Sequence, residues 1–269
     1  MPQSWYDAYL FDLDGTIYLG DTVLPTVHSA LRRIRDRGIP VRFLSNNPTK
    51  TPAAYLAKLR RLGVEAEPHE IMNTLVTTTQ WIVRHRPAAK VFPIGEEPLL
   101  TALEQAGIEI SEDPAQIDIV LASYDRTFAY RKLQIAFDAL WFHKRAVLMS
   151  TNPDPYCPFP GGHGEPDAGA IVAAIEACTG VRCERTFGKP SRQMLDTISE
   201  GLGVPTKRTV MVGDRLMTDI AMARRAGMDA ALVLTGDSTR AQIESVPPDE
   251  RPTWTLDHLE DLLPSPGRP

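Results

Sequence analysis

Cysteine is scarce in this chain: Cys157, Cys178 and Cys183 are the only ones among 269 residues. Their number is odd, no two form Cys-x-x-Cys, and no His-x-x-x-His stands nearby. That excludes a disulfide framework and a zinc site of the usual spacing. Long apolar runs are missing too; none approaches the roughly 18 residues of a membrane-spanning helix. Basic charge is not in excess, with 29 Lys and Arg against 34 Asp and Glu and a net charge of -5. No global positive field is therefore available to recruit nucleic acid. The clusters Arg32-Arg33-Ile34-Arg35 and Lys58-Leu59-Arg60-Arg61 have helical spacing and are expected to be solvated helix faces. The opening Met1-Pro2-Gln3-Ser4-Trp5-Tyr6-Asp7 lacks a basic end followed by an apolar stretch, so no secretory signal is expected there. The expected setting is a reducing cytoplasm.

What the chain does have is an alternation of strand-like runs and helical patterns. Ala8–Leu13 precedes a helix near Leu24–Arg37 that Gly38 ends, and Val41–Leu44 precedes one near Pro52–Leu62 that Gly63 ends. Lys90–Ile94, Ile117–Ala122 and Ala146–Met149 are further strand candidates, each followed by a stretch able to form a helix. Thr209–Val212 leads into Met217–Ala226, and Ala230–Leu234 follows. Such alternation predicts an α/β fold with a doubly wound parallel sheet. The proline-rich tail Leu263–Pro269 is expected to be disordered.

In doubly wound sheets, ligands bind beyond the carboxyl ends of the strands. Three predicted strands end in polar residues: Asp12-Leu13-Asp14-Gly15-Thr16 after the first, Ser45-Asn46-Asn47 after the second, and Gly213-Asp214 with Asp219 after a late one. Two carboxylates at the end of a buried strand cost several kcal/mol each unless a cation or a shared proton compensates them. Parallel topology brings all three ends to one edge, and the chemistry that needs such a set is phosphoryl transfer. Several carboxylates with few thiols or imidazoles call for a hard cation, which points to Mg2+. Asp12 and Asp214 would be direct ligands and the Asp14 carbonyl a third. Asp219 would orient ligands, or serve as an acid in the first turn of the next helix. Ser45 supplies a hydroxyl for phosphate, and backbone N–H groups near Asn46 and Asp14 can cradle its oxygens. Lys189, in Gly188-Lys189-Pro190-Ser191, would compensate Asp12 and the transferring phosphate together.

Asp12-x-Asp14-Gly15-Thr16, Ser45-Asn46-Asn47, Gly188-Lys189-Pro190 and Gly213-Asp214-x-x-x-x-Asp219 together resemble the four ordered motifs of the haloacid dehalogenase superfamily. The resemblance implies a Rossmann-like core with Asp12 as a nucleophile that forms an aspartyl-phosphate. Asp14 would be the acid that protonates the leaving group and then the base that activates water. An acid at position 14 separates the family's phosphatases from its dehalogenases. The long interval between Asn47 and Lys189 resembles an inserted α/β cap, expected at 77–185, with the core formed by 1–76 and 186–269. The branch implied is that of NagD and the p-nitrophenylphosphatases, to which Tyr124–Tyr130 and Thr151-Asn152-Pro153-Asp154 are also similar. Asp167-Ala168 stands where that branch usually carries Gly-x. Cys157 and His163 lie where such a cap approaches the leaving group and are candidates for substrate specificity. The expected activity is Mg2+-dependent hydrolysis of small phosphate esters, with a phosphotransferase or a phospho-ligand sensor as alternatives. The expected partners are a small-molecule substrate and a second copy paired through the cap, with neither nucleic acid nor membrane.

Overall fold

The computed structural model describes residues 2, 4–159 and 162–264, and there the apolar runs become strands. Along the chain these are β1 (Ala8–Asp12), the short pair β2 (Tyr18–Leu19) and β3 (Thr22–Val23), β4 (Val41–Ser45) and β5 (Ile71–Asn73). Then come β6 (Val91–Ile94), β7 (Ile119–Ala122), β8 (Val147–Ser150), the short β9 (Tyr156–Pro158) and β10 (Gly164–Pro166), and β11 (Arg185–Thr186). β12 (Thr209–Gly213), β13 (Asp229–Val233) and β14 (Trp254–Leu256) follow. The helices are α1 (Val27–Arg35), α2 (Pro52–Arg61), α3 (Thr74–His85), α4 (Glu97–Gln105) and α5 (Tyr130–Phe137), then α6 (Ala168–Thr179), α7 (Arg192–Leu202), α8 (Ala221–Ala226) and α9 (Arg240–Ser245). Among the described residues, no helix is long and apolar enough to cross a membrane.

Two compact units result. The first takes the chain up to Ser45, Pro52–Met72, and everything described from Lys189 onward. It is built on a six-stranded sheet in the order β14-β13-β12-β1-β4-β5. The β1–β12, β1–β4, β12–β13 and β13–β14 pairs are parallel. Strand alternation sends Tyr9, Phe11, Phe43 and Val212 into one apolar cluster and Leu10, Leu44, Met211 and Leu232 into another. A sheet buried on both faces in this way reads as continuous apolar runs, and that is why the sequence pattern exposed it. The second unit comprises Asn46–Thr51 and Asn73–Gly188 around a four-stranded parallel sheet ordered β11-β8-β7-β6. Its two faces likewise carry separate clusters, around Phe92, Val120 and Leu148 and around Val91, Leu121 and Met149.

Several elements differ from expectation. α1 starts at Val27 rather than Leu24 because Thr26 sits in the left-handed region at φ 66°, which a continuing helix does not allow. The start of the helix expected over Met217–Ala226 is instead a π-helical turn, Leu216–Ile220, that precedes α8. Leu263 is buried in the core and the Pro264 carbonyl accepts from Arg33 at 2.7 Å, so the tail is held that far; residues 265–269 lie outside the described ones. The basic clusters are not wholly solvated. Arg35 pairs with buried Glu70 at 2.7 Å, and the Lys58 ammonium stands 3.6 Å over the Tyr18 ring. Asp167 has a local reason to replace glycine: it is the N-cap of α6, and its carboxylate accepts from the Ala168 N–H at 2.5 Å.

Candidate active site

Asp12 ends β1, Ser45 ends β4 and Gly213 ends β12, and because these neighbouring strands are parallel their ends share one edge of the sheet. Carboxylate oxygens of Asp12, Asp214 and Asp219 lie within 4.8 Å of one another at that edge. Lys189 reaches the cluster, its ammonium in contact with Asp12 Oδ1 and 2.7 Å from Asp219 Oδ1. Its side chain is 2% exposed, which sets it apart from the solvated lysine that a loop position usually means. Ser191 caps α7 just beyond, with its hydroxyl accepting from the Gln193 N–H.

The backbone around the acids is built by omission of side chains. Gly15 has φ +83°, and a Cβ there would come 2.5 Å from Asp214 Oδ2. A Cβ on Gly236 would come 2.0 Å from the same oxygen, and one on Gly213 would come 2.2 Å from the Asp219 carboxyl carbon. Asp214 Oδ2 also accepts from the Asp237 N–H at 2.8 Å. Asp219 sits in the π-helical turn, fully buried, and its Oδ2 accepts from the Arg215 N–H at 3.2 Å. π-Helical turns gather at functional sites, and this one points an acid back at the sheet edge. Asp14 lies past the end of β1 and is exposed. The Tyr18 hydroxyl donates to Asp14 Oδ2 at 3.4 Å, while Thr235 Oγ1 donates to the Gly15 carbonyl at 2.7 Å and ties down the turn.

Electrostatically the cluster is over-supplied with negative charge. Burial pushes the Asp12 carboxyl well above the usual range; Lys189 opposes this, and Asp219 and Asp214 add to it. Burial and then the Asp219 charge push Asp214 up to about 7. For Lys189 burial acts downward, but the charges of Asp12 and Asp219 outweigh it and hold the ammonium above its ordinary value. The metal-free site thus keeps protons that an unfolded chain would release. Between the ordinary 3.8 of Asp214 and its value of about 7, the folded state binds more protons than the unfolded. The stability this carboxyl contributes is complete below about pH 4 and is lost as the pH rises through 7. Thermal melts in EDTA are accordingly expected to show a falling midpoint from pH 5 to pH 8, and Asp214→Asn is expected to flatten the fall. A slope untouched by that substitution would refute the assignment.

Not every predicted residue joins the cluster. Ser45 is buried, and its Oγ is 2.9 Å from the Tyr55 hydroxyl. Asn46 belongs to the second unit, where its amide donates to Asp154 at 2.8 Å and its carbonyl accepts from Thr74 and from Asn152. Cys157 is half-buried on β9 opposite Glu165 of β10, while His163 is exposed immediately before β10. Within the same unit the Tyr124 hydroxyl donates to Glu165. Tyr18, Tyr55 and the Gly236–Asp237 step were missed at the level of sequence. The two tyrosines read as core residues at apolar positions, and a backbone N–H leaves no mark in the sequence at all.

An acid cluster with one buried lysine at the carboxyl edge of a doubly wound sheet defines an enzyme of phosphoryl transfer. Known proteins agree with that class. Residues 9–109 match the family described as haloacid dehalogenase-like hydrolase, and 186–262 match a second, HAD-hydrolase-like description. The acid sugar phosphatase of Staphylococcus aureus (strain MRSA252) is 36% identical over 260 residues, which cover 96% of this chain and 97% of that one. The crystal structure of 4-nitrophenylphosphatase from Thermotoga maritima has a TM-score of 0.89 at 33% identity and 96% coverage of each chain. NagD from E. coli K-12 has a TM-score of 0.85 at 26% identity, covering 96% of this chain and 99% of its own. The chain belongs to the haloacid dehalogenase-like hydrolases. Within them it falls in the branch of NagD and the p-nitrophenylphosphatases, and it is a phosphatase.

Proposed function

We propose that this phosphatase hydrolyses monoesters of small phosphorylated metabolites, sugar phosphates among them, through a phosphoryl group carried on Asp12. The observation that carries the reading is the buried Lys189 ammonium bridging Asp12 and Asp219 beside Asp214. An Asp12 oxygen attacks phosphorus as the P–O ester bond breaks, and the leaving alkoxide takes the proton of the Asp14 carboxylic acid. Asp14, now a carboxylate, removes a proton from water; the water oxygen bonds to phosphorus, the P–O bond to Asp12 breaks, and inorganic phosphate departs. The exposure of Asp14 past the strand supports this role, because its proton must reach an entering substrate and later a water. Lys189 and the Ser45 hydroxyl would meet the negative phosphoryl oxygens.

The acids present fit Mg2+. Crowded, desolvated carboxylates whose ionisation is suppressed in metal-free protein are a donor set of hard oxygens that a divalent cation would relieve. Asp12, Asp214 and the Asp14 carbonyl would hold it. Both Asp219 oxygens already have protein partners, which supports an orienting role for that residue. Bound there, the cation would neutralise charge on the carboxylates and on the phosphoryl group. We assign the second unit the role of a cap, by its likeness in position to the family's insertion, with Cys157 and His163 as specificity candidates.

The test is phosphate release from sugar phosphates, glycerol phosphate, phosphoglycolate, pyridoxal phosphate, nucleotides and p-nitrophenyl phosphate. Release is expected with Mg2+, lost in EDTA and restored by Mg2+ in excess. Turnover indifferent to EDTA would remove the metal from the reading. Release from nucleotides alone would remove the sugar phosphates.

A further inference from the structure

We infer that Glu165 is a specificity-determining residue of this phosphatase: its carboxylate accepts a hydroxyl of the leaving group, favours sugar and polyol monophosphates, and repels leaving groups that carry a carboxylate. The inference deepens the function proposed above and rests on the reading of the second unit as the cap. The four strands of that unit's sheet end in register, Ile94 beside Ala122, Ala122 beside Ser150 and Ser150 beside Thr186, so one edge collects all four carboxyl ends. In doubly wound sheets that edge is where ligands bind. Two passages of the chain toward site residues belong to the same edge. Gly188, which precedes Lys189, comes just past β11; Asn46, which follows Ser45, has its carbonyl held at 3.1 Å by the amide of Asn152, just past β8. Tyr124 stands at this edge past β7, and the β9–β10 hairpin follows β8.

Cys157 and Glu165 are register partners across that hairpin, so their side chains share one of its faces. Tyr124 shows which way the face is turned: the tyrosine is 2% exposed, and its hydroxyl donates to Glu165 Oε2. Glu165 itself is half-exposed, and among the described residues its other oxygen, Oε1, has no hydrogen-bond partner. Arg126 does not take it. That guanidinium lies 5.6 Å from the centroid of the Tyr124 ring and is committed to Glu96 by two bonds of 2.7 Å. What results is a carboxylate oriented through one oxygen and unengaged at the other. Such a group accepts a hydroxyl with the help of its charge. The same charge opposes a second carboxylate brought beside it.

The test compares kcat/KM for a hexose monophosphate and for phosphoglycolate, each divided by the value for p-nitrophenyl phosphate, in full-length protein with Mg2+. The reference leaving group has no carboxylate and no hydroxyl beyond the one released, so phosphoryl chemistry and folding cancel in both ratios. Glu165→Gln still accepts from Tyr124 but has lost its charge, and it is expected to raise the phosphoglycolate ratio about tenfold. Glu165→Leu combined with Tyr124→Phe removes both partners together, so neither is left as an orphaned polar group. That double variant is expected to lower the hexose phosphate ratio about tenfold, the worth of one charge-assisted hydrogen bond. A residue that only supports the hairpin would affect all three substrates alike and leave both ratios at their wild-type values. That result, or a wild-type enzyme that prefers phosphoglycolate to the hexose phosphate, would overturn the inference and leave the phosphatase reading in place. Wild-type protein that hydrolyses p-nitrophenyl phosphate but no sugar phosphate would instead remove the substrate class proposed above, and this inference with it.

Discussion

Asp12→Asn is expected to abolish phosphate release, with a loss of about a thousandfold or more, because a carboxamide could not carry the phosphoryl group proposed for Asp12. The same change is not expected to harm the fold. Burial, with the charges of Asp219 and Asp214, already disfavours an ionised Asp12 against the pull of Lys189, and Asn resembles the protonated acid in shape. In EDTA the variant should therefore melt at or above the wild-type temperature, an instance of stability given up for activity in the natural chain. Colorimetric phosphate release beside a thermal melt decides both halves. A folded variant that keeps about a tenth of the wild-type rate would end the assignment of Asp12 as nucleophile.

Lys189→Met is expected to act on stability as well as on rate. The ammonium is buried against two carboxylates, and its removal leaves like charges crowded in a desolvated site. Breaking a buried pair of this kind costs about 3–5 kcal/mol. The carboxyls left behind can escape part of that cost by binding protons, so the loss should grow as the pH rises. Mg2+ should recover some of it. Denaturant unfolding at pH 5.5 and pH 8, with and without Mg2+, reads these terms separately; a variant as stable as wild type at pH 8 in EDTA would contradict them. Lys189→Arg is not expected to restore activity, because a guanidinium is longer and flatter than the 2%-exposed ammonium it would replace.

The acids of the site were legible in the sequence because each follows an apolar run at a strand end, where a charge has no reason to be unless something binds it. Asp12 and Asp214 are therefore visible to anyone who asks which charges are badly placed; Lys189 alone is a weaker signal that rests on its glycine and proline neighbours. Asp219 was ambiguous, since an acid five residues after another also suits the first turn of a helix. In the structure Asp219 is buried in a π-helical turn against Lys189, which supports an orienting role and is compatible with a place in the first turn. β5 and β14 were not legible, being three residues each with their apolar side chains diluted by Asn and Thr. Nor was the membership of Asn46–Thr51 in the second unit, which depends on Asn46 and Lys50 carbonyls accepting from Asn152, Thr74 and Asn73 far along the chain. Tyr55 hid among the apolar positions of an amphipathic helix, where periodicity records a ring and is blind to its hydroxyl.

The strand order also fixes when this site can come into being. β1 lies between β4, which is made soon after it, and β12, which is made long after both. Asp12 and Lys189 are 177 positions apart, and the Gly213–Asp214 step comes later still. Between β4 and β12 the chain runs through the main segment of the second unit, Asn73–Gly188, as one continuous stretch. That stretch is free to fold first. Until β12 docks against β1, Asp12 lacks its companion acids Asp214 and Asp219, which follow that strand. The acid cluster is thus assembled from segments made far apart in time, with Asp12 the first of them.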